Sequence, residues 1–107
     1  METVVAKKHP LQTAATTGNG LAYDLQGTIK NLSIYIEGSA GVGAGAVQLE
    51  TATDPAYAGT WHAIGSPVTV SASTQKLVQL AGVVGAVRAR ISTTVTGGTC
   101  SVFLYAS

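Results

Sequence analysis

Hydrophobic and polar residues alternate one by one along most of this chain. In TIKNLSIYIEG, Leu32, Ile34 and Ile36 alternate with Ser33, Tyr35 and Glu37, the pattern of a half-buried strand. The same period continues in AVQLETAT, with Val47, Leu49 and Thr51 opposed to Gln48, Glu50 and Ala52. In WHAIG, Trp61 and Ala63 are opposed to His62 and Ile64. PVTVSAS and QKLVQL predict two more short strands around a Ser/Thr-rich corner. AVRARIST sets Val87, Ala89 and Ile91 inward and Arg88, Arg90 and Ser92 outward. TCSVFLYAS closes the chain with Val102, Leu104 and Ala106 opposed to Phe103 and Tyr105.

Between these segments lie turn signals. The glycine-rich GSAGVGAG (Gly38–Gly45) reads as a hairpin turn. A phosphate-binding loop fails there, because no GK[ST] follows and no helix opens after it. DPAYAGT is a turn opened by Asp54-Pro55 and completed by Gly59, and GVVG (Gly82–Gly85) and TGG break the chain again. Seven or eight short strands with turn signals every 8–12 residues and no segment of helical period predict an all-β fold, an antiparallel β-sandwich. The Cys–Trp–Cys spacing of immunoglobulin domains is absent, which favours a jelly-roll-like arrangement.

The first twenty residues, METVVAKKHPLQTAATTGNG, hold no long strand or helix period and place two lysines side by side before Pro10. They predict an extended N-terminal arm (1–20) attached to a sandwich domain (21–107). A segment of this composition frays unless it is laid on something: its own domain, a sister subunit or a different protein.

Composition narrows the function. The chain has 107 residues, of which only 10% are charged and 46% hydrophobic. A charged share far below the usual ~25% suits a β-protein whose surface carries hydroxyls, and a part that is packed against other proteins. Six Lys/Arg against five Asp/Glu give a net charge of +1, so no basic face argues for nucleic acid. The first residues lack the apolar core of a signal peptide, and no run approaches the ~18 apolar residues of a membrane span. A protein made and assembled in the cytoplasm is expected.

Candidate chemistry is sparse. Cys100, the single cysteine, excludes an intramolecular disulfide and a CxxC motif and reads as a buried small residue in a strand. His9 and His62 lie in regions of different character and supply no zinc spacing. Neither a GxSxG elbow nor a Cys–His pairing is present. Glu37 and Glu50, on strands taken as neighbours, are the one carboxylate pair that glycoside hydrolysis could use, but exposed strand faces favour solvation or ion pairing. Asp54 is the only carboxylate in its loop, too few for calcium. The expectation is a non-enzymatic protein without cofactor or metal. Trp61 reads as the largest core residue, Tyr57 as surface, and Arg88 and Arg90 as strand-face residues that pair with Glu37 or Glu50 or meet another subunit.

From Thr28 to Ser107 the chain resembles a family of small β-sandwich proteins encoded among the head and virion genes of tailed bacteriophages. The resemblance rests on IKNLSIYIEG, on the turn marked by Glu50, Asp54, Gly59, Thr60 and Trp61, on the strand Val87 to Ile91, and on a closing strand with Gly98, Thr99, Val102 and Leu104. DPAYAGTW is longer than the compact Asp-Gly-Thr turn of that pattern. The resemblance implies a structural virion protein: a capsid decoration (cement) protein on the head surface that contacts the major capsid protein and is a dimer or trimer. In that reading Val4, Val5 and Leu11 anchor the arm, Lys7 and Lys8 pair with acidic shell residues, and Arg88 and Arg90 form an interface. The alternatives are a neck or tail protein of the same fold, or a carbohydrate-binding module of a tail or receptor-binding structure that uses Tyr57, Trp61 and His62.

Overall fold

The computed structural model describes residues 7–24, 30–82 and 85–106. Eight strands are found among them: β1 (Lys7–Ala15), β2 (Tyr23–Asp24), β3 (Lys30–Gly38), β4 (Ala44–Ala52), β5 (His62–Thr69), β6 (Gln75–Gly82), β7 (Ala86–Thr96) and β8 (Cys100–Ala106). They form two four-stranded sheets, ordered β1-β8-β3-β6 and β2-β7-β4-β5. Every ladder is antiparallel. β1 pairs with β8, β2 with β7, β3 with β6 and β4 with β5, and the β3–β8 and β4–β7 ladders complete the sheets.

The alternating residues meet between the sheets. Leu32, Ile34, Ile36, Val102 and Leu104 come from the first sheet, and Val47, Leu49, Val87, Ala89 and Ile91 from the second, into one buried cluster. Each Val, Leu or Ile so buried contributes about 1.5–3 kcal/mol relative to an exposed one. This two-sheet, sandwich-like core is the one the alternation predicted for these ten residues; in WHAIG the expected faces are exchanged, since Ile64 packs against the core and Ala63 is exposed.

The connections differ from expectation. Only β4 and β5 are neighbours both in sequence and in a sheet; every other consecutive pair of strands changes sheet. Gly38–Gly45 is therefore an arch between sheets, where a hairpin was expected. It runs beside the second arch, β7 to β8, and the two share hydrogen bonds: Gly43 N–H donates to Thr96 O (2.8 Å), Ser39 N–H to Thr99 O (2.9 Å) and Thr99 N–H to Ser39 Oγ (2.9 Å). Gly41 (φ +93°) and Gly97 (φ +81°) sit backbone against backbone at the crossing, where a Cβ on Gly97 would run into the Gly41 carbonyl. Glycine is needed there for both reasons.

The expected arm also reads differently. Residues 1–6 lie outside the described residues, but Lys7–Ala15 is an edge strand of the first sheet, laid along β8. Between Pro10 and Gln12 the register shifts by one residue. This bulge turns two successive side chains inward, so Leu11 (1% exposed) and Gln12 (5%) are both buried. Gln12 Nε2 donates to Ala89 O of β7 (2.8 Å) and to Gly18 O (3.0 Å), joining the sheets. HAIG and PVT likewise belong to one strand, β5, interrupted by a bulge at Gly65 (φ +67°), with Trp61 just before it.

Candidate functional site

Two polar–aromatic clusters lie on the outer faces of the sheets. The first is on β1-β8-β3-β6. Register places Pro10, Phe103, Tyr35 and Leu77 side by side in one row across four strands, and Lys8, Tyr105, Ser33 and Gln79 in the next. Outward positions of a strand are ordinarily polar, so a row of proline, two aromatics and a leucine, the leucine 49% exposed, is unusual. Tyr35 and Tyr105 meet edge to face at 5.5 Å and 84°. The Lys8 ammonium lies 4.0 Å from the Phe103 ring centroid, a contact worth about 0.5–1 kcal/mol at an exposed site. At the far end Gln75 Nε2 donates to Glu37 Oε2 (2.8 Å). Lys8, Tyr35, Phe103, Tyr105, Gln75 and Glu37, with Ser33, border an open groove of about 580 Å³.

The second cluster covers the outer face of β2-β7-β4-β5. Register sets Glu50 beside Arg88 and Gln48 beside Arg90. Arg88 Nε donates to Glu50 Oε1 (2.9 Å) and Arg90 Nε to Glu50 Oε2 (3.0 Å). The Glu50 side chain is only 8% exposed, and those of Arg88 and Arg90 are 17% and 38% exposed. Trp61 lies over Arg88, with the guanidinium 4.3 Å from the ring centroid. Its indole N–H donates to Tyr57 O (3.0 Å), and so pins the β4–β5 loop. That loop is a compact turn: Ala56 N–H donates to Asp54 Oδ1 (2.8 Å) and Tyr57 N–H to Asp54 O (3.0 Å). Gln48 Nε2 fills the β5 bulge through the carbonyls of Ile64 and Gly65 (both 3.2 Å). β4 is consequently buried on both faces, which its alternation did not predict.

Arg88 and Arg90 thus do pair with an acid, and it is Glu50. Trp61 is buried (6% exposed) but belongs to this outer layer and not to the core between the sheets. One face rests on Arg88, so the trio Tyr57, Trp61 and His62 presents only exposed Tyr57 and His62 to a sugar. Val4 and Val5 fall outside the described residues. Lys7 begins β1, Lys8 is held on Phe103, and Leu11 is in the protein's own core, where it can anchor nothing else. Glu37 and Glu50 stand in different sheets, which removes the carboxylate pair. Cys100 is fully buried; burial first, and Glu37 second, push its thiol up to about 11. No group of three or more His, Cys, Asp or Glu side chains that could hold a metal occurs among the described residues.

The aromatic row escaped the sequence reading, although its signal was present. Tyr35, Phe103 and Tyr105 all stand at outward positions of alternating strands, and only the β3–β8 register shows that they adjoin. No family model matches the chain, and no curated protein or solved structure matches it either.

Proposed function

We propose that this chain is a non-enzymatic structural protein of a phage particle: a jelly-roll decoration protein that seats on the head through the outer face of β1-β8-β3-β6. The single observation behind this reading is the outward row Pro10–Phe103–Tyr35–Leu77, with Pro10 and Leu77 exposed and the two rings half-buried. Protein interfaces are enriched in aromatics and depleted of Lys, Glu and Asp at their centres, and this row has that composition on a chain that is 10% charged. The jelly-roll reading rests on the strand pairing. A long hairpin whose arms pair 1 with 8, 2 with 7, 3 with 6 and 4 with 5, rolled so that successive pairs fall in alternate sheets, gives the order 1-8-3-6 over 2-7-4-5.

The contact surface proposed here replaces the arm. β1 fixes Lys8 and Pro10 at the rim of the aromatic face, so attachment uses a rigid sheet in place of an extended segment. Many copies, each with a modest contact, stiffen a shell through their number. The test mixes recombinant protein with heads lacking it and measures co-sedimentation. Wild type is expected to saturate the heads, and Tyr35→Ser/Phe103→Thr, neutral at this cross-strand pair, to lose at least tenfold in affinity while remaining folded by circular dichroism. Wild type that does not bind, or a variant that saturates heads equally, refutes the reading.

A second reading is favoured by the groove itself: Tyr35, Phe103 and Tyr105 rings next to the amide of Gln75 and the carboxylate of Glu37 are groups that stack on and hydrogen-bond a sugar. It moves the glycan contact from the Tyr57–Trp61–His62 loop to the opposite sheet. A glycan array with wild type and Tyr105→Ala distinguishes it: specific sugar binding lost in the variant, with no head binding, selects this alternative.

A further inference from the structure

The two sheets have four edges among the described residues, β1 and β6 on one and β2 and β5 on the other. Sheet edges offer free N–H and C=O groups, and proteins ordinarily blunt them with bulges, proline, charge or shortness. Three of these edges are blunted. β1 carries Pro10, two register shifts and Ala14 at φ +44°. β2 is two residues long among the described residues. β5 has the Gly65 bulge and Pro67, which has no N–H to give.

β6 is different. Its eight residues pair with β3 without a register shift, from Lys30↔Gly82 to Glu37↔Gln75, and contain no proline. Its one charge, Lys76, lies near the start and is turned across to β5, where Nζ donates to Thr69 O (2.6 Å). The stretch from Leu77 to Ala81 is left unguarded. Beneath it the core is open: Val78 and Leu80 of β6, with Ile64 and Val68 of β5, are only partly buried, whereas Ile34, Val47, Val102 and Leu104 on central strands are 0% exposed. On the opposite side, the gap between β1 and β2 is closed by His9 stacked on Tyr23 at 4.0 Å.

We infer that β6 is the seat of a second copy of this chain, paired antiparallel about a two-fold axis at Gln79, the midpoint of the unguarded stretch. The two sheets then join into one of eight strands, and the incoming strand covers Val78 and Leu80. Such pairing sets Lys76 opposite Gly82 of the partner, so the two Lys76 α-carbons lie about 20 Å apart along the strands at ~3.4 Å per residue, each ammonium is held at its own β5, and the charges do not oppose each other. A patch the length of β6, about 27 Å, and as deep as the molecule's shortest dimension, 19 Å, covers roughly 500 Å² per copy, about 1,000 Å² for the pair, the lower limit for a specific interface. The dimer brings both aromatic rows onto one continuous face. It holds whatever occupies that face, and so stands apart from the function proposed above.

Sedimentation equilibrium of the full chain tests this. Wild type is expected at twice the 10.8 kDa chain mass at a concentration on the order of 100 μM. Leu77→Lys/Gln79→Lys alters two exposed positions and puts like charges opposite each other across the axis; it is expected to be a monomer that stays folded by circular dichroism, with a melting temperature that no longer rises with protein concentration as that of wild type does. Gln79→Cys is expected to form a disulfide dimer on mild oxidation, whereas Thr13→Cys, exposed on β1, is not. A monomeric wild type, a trimer, a lysine variant that remains dimeric, or cross-linking through Thr13→Cys in preference to Gln79→Cys overturns the inference.

Discussion

Replacing Glu50 by alanine tests the reasoning about the outer layer of β2-β7-β4-β5. Glu50 is nearly buried and receives one charged hydrogen bond from each of two arginines. Its removal strands two unequal cations. Arg88 is 17% exposed under Trp61, and losing the partner of a buried charge costs about 3–5 kcal/mol. Arg90 is 38% exposed, so water screens it and its bond is worth nearer ~0.2–1 kcal/mol. Water reaching Arg88 through the space left by the side chain offsets part of the larger cost. The expected loss for Glu50→Ala is about 3 kcal/mol, a large share of the ~5–15 kcal/mol that stabilises a typical domain. Arg88→Ala should cost about 2–3 kcal/mol, since Glu50 keeps Arg90 while the Trp61 stacking is also lost. Arg90→Ala should cost about 1 kcal/mol or less. Urea unfolding followed by fluorescence measures all three. Trp61 is the only tryptophan and sits on Arg88, so the native emission should itself change in Arg88→Ala and remain in Arg90→Ala. Glu50→Met/Arg88→Met should recover most of the loss, because a packed apolar pair of similar volume replaces a buried ion pair at little cost. Equal losses for the two arginine variants, or less than about 1 kcal/mol for Glu50→Ala, would show that this layer is solvated and that its burial confers no stability.

Two further outcomes follow from the fold. The Cys100 thiol, pushed from 9.0 to about 11, keeps its proton in the folded chain longer than in the unfolded one. It therefore contributes stability that is complete below pH 9 and is lost as pH rises towards 11, by up to about 3 kcal/mol at ~1.4 kcal/mol per unit. Cys100→Ala measured beside wild type isolates this from tyrosine and lysine titration, and parallel pH profiles would refute it; the native thiol should also resist a thiol reagent at pH 7.5 until urea unfolds the chain. At the arch crossing, Gly97→Ala must hold a left-handed φ and push against Gly41, so a loss of about 2 kcal/mol or more is expected. The same change at Gly18 (φ +105°), with nothing within 4 Å, should cost about 1 kcal/mol from backbone conformation alone.

Alternation by itself determined the strand class and the inward residues: Leu32, Ile34, Ile36, Val87, Ala89, Ile91, Val102 and Leu104 face the core as read. It could do so because the period of two is a local property of an extended backbone, independent of partner. Composition likewise indicated a chain poor in ions. Which strands adjoin was decided only by the tertiary structure, since a glycine-rich stretch such as Gly38–Gly45 suits a hairpin or an arch equally, and the choice depends on distant surfaces that must be covered. The same holds for β1, whose bulge hides Leu11 and Gln12 in a segment of loop-like composition, and for Trp61, placed by a loop outside the core. The candidate site was legible only residue by residue. Arg88, Arg90 and Glu50 could be named as partners because cross-strand charges seek each other. The row from Pro10 to Leu77 could not, because its members are spread over four strands and become neighbours only through the register of backbone hydrogen bonds.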